Sequence, residues 1–308
     1  MKLKQLFSLV MLIMLVHTTS CGFFYREEQR ETGDSNSGIE TGELQPFPVT
    51  IDGVAIYESP ERIISLSPAF TEILFEFGYG DRLIGRSPHC NYPTGVSSIE
   101  AFEVGSGFDV DEILSAAPDL LLLSSPIAEI SRVAILREGI AILVLPPPQS
   151  VEDFREMYRL LGVILYGGFI GEEMGDLAFL PLTQVLNNSE AVNIGSFVYV
   201  TENMAFATGD TFESSVLSRF GDNLAKEGVG YQFNREQLLE EQPDVILLSD
   251  VFTITDLQTD DLFAQLEAVT IGRVIVLNNS YFERPSGRIV ELISSIISQY
   301  GEFRTDPQ

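Results

Sequence analysis

The sequence predicts an α/β protein in which two related lobes, each built on a parallel β-sheet, are joined by a helical bridge. Three observations lead to this prediction: an internal repeat, apolar runs without polar alternation, and an amphipathic segment between the two copies of the repeat. An apolar run without alternation is typical of a strand that is buried on both faces, as in a parallel sheet. The length of the chain suffices for two lobes with cores of their own.

The repeat is the clearest sign of two related lobes. Residues 111–124 recur as residues 236–249, and each copy combines a short helical segment that begins with an acid, a Pro-Asp corner and an apolar run. Proline cannot continue a helix, so the corner fixes where each helical segment ends. We therefore predict that each copy forms a helix followed by a buried strand.

Further strand and helix patterns surround both copies. The predicted strands lie at residues 62–66, 82–86, 141–145, 196–201 and 273–277. The predicted helices lie at residues 70–77, 128–137, 212–220 and 287–299. Strands that alternate with helices favour parallel sheets. The predicted fold class is therefore two Rossmann-like α/β lobes, over residues 49–150 and 193–308.

Residues 151–192 are expected to bridge the lobes. Residues 151–163 are amphipathic, with four apolar side chains on one face, and helical character continues beyond them. The pair Gly167-Gly168 weakens a helix, and Pro181 removes one backbone hydrogen bond and clashes with the preceding turn. We therefore predict two bridging helices, with a break near Gly167-Gly168 and a kink near Pro181.

The first residues of the sequence resemble a targeting signal. Two lysines precede an apolar run at residues 6–16, and small residues then lead to Cys21. This order predicts a signal peptide over residues 1–20. A cysteine directly after the small residues resembles the lipobox of bacterial lipoproteins, although Thr18 stands where leucine is usual. We expect Cys21 to be lipidated, with an ordinary signal peptide or a signal anchor as the alternatives.

A polar tether is expected after Cys21. Residues 22–46 are acidic and rich in glycine and serine. Such a stretch cannot bury enough apolar surface to fold, which predicts a flexible tether over residues 21–48. Two or more acyl chains would make the anchoring stable, so we expect a protein held on the outer side of the cell membrane.

The composition excludes several classes of function. The chain has 45 acidic and 18 basic residues and a net charge of -27, whereas a nucleic-acid partner needs a basic face. Beyond the signal peptide, His89 is the one histidine and Lys226 the one lysine, with Cys90 besides Cys21. A three-histidine zinc site is therefore impossible, and few groups remain for catalysis. We expect no enzyme activity, no metal site and no cofactor; a carboxylate-only enzyme is the alternative.

Several motifs resemble one family. The segment at residues 60–72, PERIISLSPAFTE, closely resembles the opening of the periplasmic-binding-protein family that serves vitamin B12, ferric-siderophore and haem ABC importers. The resemblance continues through NYP at 91–93, both repeats, GDN at 221–223 and FERPSGR at 282–288. It implies two α/β lobes joined by one long helix, with the ligand in the cleft between them. It also implies a monomer that delivers its ligand to a permease dimer with its ATPase.

The loops that follow the strands are the candidate ligand site, because ligands of open α/β sheets bind outside the carboxyl ends of the strands. The predicted ligand-binding residues are Ser67, Pro68, Ala69, Phe70, His89, Tyr92, Phe108, Phe206, Tyr231, Tyr281 and Arg284. A large planar macrocycle buries well against aromatic faces; ordinary core or rim packing is the alternative for each ring. His89 could bind haem iron or contact a corrinoid, or it could be a solvated loop histidine.

Charge favours one ligand over the others. Ferric catecholates are strongly anionic and would need several cationic side chains, but only Arg86 and Arg284 are plausible in the cleft. Cobalamin carries little net charge. We therefore expect a corrinoid, with a ferric siderophore as the first alternative and haem as the second. A tethered enzyme or sensor on this fold is the alternative from another class.

Two acids are candidates for contact with the permease. In the family that the chain resembles, one acid on each lobe meets an arginine of the permease dimer. By position these acids are Asp111 and Glu236, the first residues of the two repeats. Helix capping is the alternative role for an acid at the start of a helix.

Overall fold

The computed structural model describes residues 46–189 and 192–305. The predicted signal peptide, the proposed lipidation site at Cys21 and most of the predicted tether lie outside these residues. The described residues all belong to one compact unit, Leu44–Gln308. None of their helices is both long and apolar enough to cross a membrane.

Two parallel sheets and one small antiparallel pair organise the described residues. The antiparallel pair consists of β1 (Val49–Ile51) and β2 (Val54–Ile56). The first parallel sheet consists of β3 (Ile63–Ser65), β4 (Leu83–Arg86), β5 (Glu100–Ala101), β6 (Leu120–Leu123) and β7 (Ala141–Val144). The second consists of β8 (Ser196–Val200), β9 (Asp222–Asn223), β10 (Val245–Ser249) and β11 (Val274–Leu277). The strand orders are β5-β4-β3-β6-β7 and β9-β8-β10-β11.

Helices connect the strands and join the two sheets. They are α1 (Pro68–Glu76), α2 (Val110–Ala116), α3 (Glu129–Arg137), α4 (Val151–Tyr166), α5 (Gly168–Ser189), α6 (Phe212–Leu217), α7 (Leu238–Glu241), α8 (Ile254–Thr259), α9 (Glu267–Thr270), α10 (Ser280–Glu283) and α11 (Ile289–Thr305). The predicted strands and helices are all present, although α6 is shorter than predicted and α11 longer. The predicted fold class is confirmed: each parallel sheet carries one copy of the repeat, and two consecutive helices connect the sheets.

Both copies of the repeat adopt the same local structure. The residue that follows the helix is Ala117 in the first copy, with a φ angle of 48°, and Gln242 in the second copy, with a φ angle of 47°. The left-handed conformation stops a helix, and the proline that follows in each copy cannot continue it. The repeat in sequence therefore corresponds to a repeat in backbone conformation.

The aspartate of each Pro-Asp corner fixes the start of a neighbouring strand. Asp119 accepts hydrogen bonds from the backbone N–H groups of Glu61 and Arg62, at 2.7 and 3.0 Å. Asp244 accepts from the backbone N–H and the hydroxyl of Ser196, at 2.7 and 2.8 Å. The central strand pairs β3–β6 and β8–β10 are thus set by equivalent contacts.

The two bridging helices are separated where the glycine pair predicts. Helix α4 ends at Tyr166, and Gly167 follows with a φ angle of 81°, which favours glycine. Helix α5 begins at Gly168 and contains Pro181 within its length. The predicted break is confirmed.

Glycines bring α4 and α5 into close contact. A Cβ atom added at Gly171 would lie 2.4 Å from the Cα of Val163, and one added at Gly175 would lie 2.4 Å from the Cα of Arg159. A Cβ atom added at Gly162 would likewise come too close to backbone atoms of Gly171 and Gly175. These glycines therefore weaken each helix but allow the two backbones to approach, a role that the sequence analysis missed.

One apolar core runs through both lobes. It joins Ile63 and Leu122 of the first sheet, Phe154 of α4, and Tyr199 and Leu247 of the second sheet in a single cluster of buried side chains. Separate clusters cover the other face of each sheet. The bridge is thus part of the core and not a surface connection.

The contact between α4 and α5 can be tested by adding one methyl group. Gly171→Ala should lower the free energy of unfolding by about 1–3 kcal/mol, the usual cost of over-packing, although alanine favours helix over glycine by about 1 kcal/mol. Gly301 of α11 is the matched control, because nothing lies within 4 Å of a Cβ added there. Gly301→Ala should be neutral or stabilising. Urea unfolding measures both, and equal gains in stability would contradict the contact.

Candidate functional site

A cavity of about 660 Å³ opens at the carboxyl ends of the strands of the first sheet. The loops that follow β3, β4, β5 and β6 line it, and the end of α10 closes one side. Ligands of open α/β sheets bind at this edge. The lining residues are Leu66, Pro68, Ser87, His89, Val104, Gly105, Phe108, Leu123, Ser124, Ser125, Pro126, Ile127, Ala128, Ser131, Glu283 and Arg284.

The lining combines apolar side chains with serine hydroxyls. The second lobe contributes one acid and one base to the lining, Glu283 and Arg284, which are adjacent in the chain. His89 lies on a loop of the first lobe and is exposed. Serine hydroxyls both donate and accept hydrogen bonds. The cavity therefore suits a ligand with apolar surface and neutral polar groups.

Four of the predicted ligand-binding residues line this cavity: Pro68, His89, Phe108 and Arg284. Three others are buried in the apolar cores instead. Ala69 and Phe70 lie in α1, and the ring of Phe70 is only 2% exposed. Phe206 is 3% exposed and packs on the rings of Phe233 and Phe263. Their place after a strand was predicted correctly, but their side chains point into the cores.

Ser67 and Tyr231 also lie away from the cavity lining. Ser67 is buried just before α1, where its carbonyl accepts a hydrogen bond from the hydroxyl of Ser65 at 3.2 Å. The hydroxyl of Tyr231 donates to the carboxylate of Glu213 at 3.2 Å. Burial, followed by the charge of Glu213, raises the pKa of Tyr231 to about 12.

Tyr92 and Tyr281 hold an arginine between the lobes. The guanidinium carbon of Arg288 lies 4.5 Å from the centre of the Tyr92 ring and 4.9 Å from that of Tyr281. The hydroxyl of Tyr281 also donates to Glu291 at 2.6 Å. Neither ring is part of the cavity lining, and each ring contacts the guanidinium of Arg288, which was not among the predicted site residues.

Residues 284–288, which we call the interlobe strap, make further contacts with the first lobe. Arg284 donates to the side-chain oxygen of Asn91 at 2.7 Å. The hydroxyl of Ser286 donates to Glu72 at 2.6 Å, and the backbone N–H of Gly287 donates to Glu76 at 2.8 Å. The strap therefore connects the second lobe to α1 and to the loop after β4.

The two glutamates under the strap are held in an unusual environment. Burial raises the pKa of Glu72, while its contacts with Ser286 and Arg288 oppose that effect. Burial also raises the pKa of Glu76, against hydrogen bonds from Tyr158 and Gly287. Both acids belong to α1, so the strap rests on a single helix face with a high local concentration of negative charge.

Carboxylates also gather beside the cavity on the second lobe. The side-chain amide of Asn279 donates to Glu202 at 3.2 Å and to Glu283 at 3.0 Å. A hydrogen bond with Glu283 raises the pKa of Glu202, and burial contributes in the same direction. Glu213 lies close enough to Glu202 to act on it by its charge, and burial raises the pKa of Glu213 as well. This grouping disfavours an anionic ligand.

Arg86 is not available to a ligand. Its guanidinium donates to the carbonyl oxygens of Val96, Ser87 and Ser97, at 3.0, 2.9 and 3.3 Å. It is buried and holds the loop after β4 together. Of the two cations that the sequence suggested for the cleft, only Arg284 lines the cavity.

The loop after β6 was not among the predicted ligand-binding loops. This loop supplies Ser124, Ser125 and Ile127 to the cavity, and the first turn of α3 supplies Ser131. The signal was present, because the loop directly follows the strand of the first repeat and the same rule had been applied to the other loops. Within the described residues, no group of three metal-binding side chains comes together.

The two candidate docking acids are exposed at equivalent places. Asp111 lies in the first turn of α2, and its backbone N–H is capped by Asp109 at 2.8 Å. Glu236 lies in a single 3₁₀ turn, and its backbone N–H is capped by Asn234 at 3.2 Å. Asp109 and Asn234 cap these two turns, so the carboxylates of Asp111 and Glu236 do not act as caps.

Comparison with known proteins supports the resemblance. The chain is 27% identical over 270 residues to the uncharacterized ABC transporter substrate-binding lipoprotein YvrC of Bacillus subtilis, covering 81% of this chain and 84% of that protein. It is 27% identical over 260 residues to the vitamin B12-binding protein of Yersinia pestis, covering 80% and 89%. No family model matches the chain.

Solved structures show the same fold. The periplasmic vitamin B12-binding protein BtuF of Vibrio cholerae matches with a TM-score of 0.61 and 22% identity, over 80% of this chain and 99% of that one. The periplasmic haem-binding protein HutB of Vibrio cholerae matches with a TM-score of 0.66 and 16% identity, over 77% and 98%.

The chain is thus similar, in sequence and in fold, to two-lobed solute-binding proteins. The sequence relatives are vitamin B12-binding and ABC substrate-binding proteins, which confirms the recognition made from the motifs. They are solute-binding proteins and not enzymes, as predicted, and proteins of this kind carry ligands rather than cofactors.

Proposed function

We propose that this protein captures a corrinoid in the cavity beside β3–β6 and delivers it to the permease of an ABC importer. The observation that carries the proposal is the chemistry of the cavity. Its apolar lining and four serines suit a macrocycle with amide side chains, and its one arginine stands next to an acid. The vitamin B12-binding relatives support the same ligand class.

A ferric siderophore of the catecholate type fits less well. Such a complex is strongly anionic and needs several cations for binding. Arg86 is engaged by backbone carbonyls, and Arg284 follows Glu283, whose carboxylate shares the amide of Asn279 with Glu202. The cavity has therefore no surplus of positive charge.

Haem is the second candidate, and one observation favours it. His89 lies in the cavity lining with an exposed side chain, where its imidazole could ligate iron. The propionates of haem would meet the same acids that disfavour a siderophore. We therefore place haem after a corrinoid.

Absorption titration separates the ligands. Cyanocobalamin should bind more tightly than haemin or a ferric hydroxamate, and Phe108→Ala should weaken cyanocobalamin binding by about tenfold or more, because an aromatic anchor in a pocket carries much of the binding energy. Tyr57→Ala is the control, since Tyr57 is 76% exposed and does not line the cavity. Tighter binding of haemin, with a spectral shift that His89→Ala removes, would establish haem instead.

We also propose that lipidated Cys21 holds the protein on the outer face of the membrane. The apolar run, the small residues before Cys21 and the polar residues after it support this proposal. The Bacillus subtilis relative is itself a lipoprotein.

Membrane fractionation tests the anchor. Cys21→Ser should release the protein into the soluble fraction, because the thiol that would carry the lipid is gone. Metabolic labelling with a fatty acid should mark the parent and not the variant. Unchanged membrane retention of Cys21→Ser would contradict lipidation.

The third part of the proposal is docking through Asp111 and Glu236. Both acids are exposed, both lie two residues after a capping Asx side chain, and each belongs to one copy of the repeat. A protein with two equivalent acids can present both to a two-fold symmetric permease. The proposal is that each acid pairs with a permease arginine.

A double substitution tests docking separately from ligand capture. Asp111→Ala with Glu236→Ala should weaken association with the permease and reduce its dependence on salt, since exposed pairs contribute about 0–1 kcal/mol each and desolvated pairs several. Ligand titration should match the parent, because neither acid lines the cavity. The double variant of exposed Glu138→Ala and Asp261→Ala is the control. Normal permease binding by the first double variant would remove the docking role.

A further inference from the structure

We propose that the interlobe strap is a latch that sets the spacing of the two lobes, with Arg288 as its positioning residue. The strap must open or shift before a ligand enters the cavity. The part of this inference that concerns ligand entry rests on the proposed function, whereas the latch itself is a property of the protein alone.

The strap forms the rim of the cavity. Glu283 and Arg284 line the cavity on the second lobe, and the strap continues directly from them. Arg284 reaches across to Asn91, in the loop that also carries His89. A ligand that contacts Arg284 therefore acts on the first of the contacts that hold the lobes together.

Arg288 occupies the centre of the strap's contacts. Its guanidinium lies between an aromatic ring of the first lobe, Tyr92, and one of the second lobe, Tyr281. Its Nη1 atom also lies 3.4 Å from Glu72 of α1. The side chain is 19% exposed, so these attractions are only partly screened by water. One side chain thus joins three elements from both sides of the cleft.

Two shorter hydrogen bonds fix the backbone beside Arg288. The Ser286 hydroxyl and the Gly287 N–H donate to Glu72 and Glu76. A Cβ atom added at Gly287 would lie 2.7 Å from an oxygen of Glu76, so a side chain at this position would have to displace that carboxylate. Glu76 in turn accepts from Tyr158 of α4 at 2.6 Å, which ties the strap to the bridge.

The chemistry of these contacts differs from that of the core. The lobes are otherwise joined by buried apolar side chains around α4, and separating those would expose a large apolar surface. The strap contacts are hydrogen bonds, an ion pair and cation–π contacts, and on release their polar groups can bond with water instead. The strap can therefore release while the core stays intact, as a latch requires.

Distance measurements between the lobes test the latch without any ligand. Nitroxide labels at Glu138→Cys and Glu267→Cys report the spacing in the full chain, in a Cys21→Ser background that leaves only buried Cys90 besides the labelled sites. The Cys21→Ser protein without the two introduced cysteines should take up no nitroxide, because Cys90 is buried. The parent should give one narrow distance distribution. Arg288→Ala should add a second population, at longer distance, that the parent lacks.

A matched pair at Tyr92 distinguishes a latch from a merely structural role. Tyr92→Phe keeps the ring over Arg288 and should give the parent distribution, whereas Tyr92→Ala removes the ring and should behave like Arg288→Ala. Thermal unfolding is measured in parallel. Lower unfolding temperatures with unchanged distances in Arg288→Ala and Tyr92→Ala would overturn the latch.

Binding kinetics with cyanocobalamin then test ligand entry. Arg288→Ala should raise both the association and the dissociation rate, because the rim no longer restricts passage. Rates equal to those of the parent would overturn the gating role. If cyanocobalamin does not bind the parent, the proposed ligand is wrong, and the distance measurements still decide whether the strap is a latch.

Discussion

The close packing of α4 against α5 is the constraint on which the rest of the structure depends. Glycines at 162, 171 and 175 remove the side chains that would keep the two backbones apart. This contact places the apolar face of α4, with Phe154 and Tyr158, where both sheets can pack on it. The cavity and the strap then lie where the two lobes meet.

The sequence predicted the fold well, and four of the predicted ligand-binding residues line the cavity. The repeat predicted the two central strands, and Gly167-Gly168 predicted the break in the bridge, because both signals are local. Tyr92 and Tyr281 were predicted as ligand contacts, and in the structure their rings contact Arg288. Arg284 and Asn91 are 193 residues apart in the chain, and no local pattern indicates such a contact.

The differences between the predicted site residues and the cavity lining share a physical cause. Position after a strand identifies a loop, but the direction of each side chain depends on helix geometry and on neighbours far away in sequence. Phe70 turns into the core because it lies within α1 and not before it. Arg86 is drawn to three carbonyl oxygens that its own loop provides.

The continuous core has a consequence for how the protein loses its structure. Side chains of both sheets share one apolar cluster with α4, so neither lobe has an inner face of its own. Unfolding of one lobe would expose apolar side chains of the bridge and of the other lobe to water. The lobes are repeats in sequence, but because they share one core we expect them to unfold together and not as independent units.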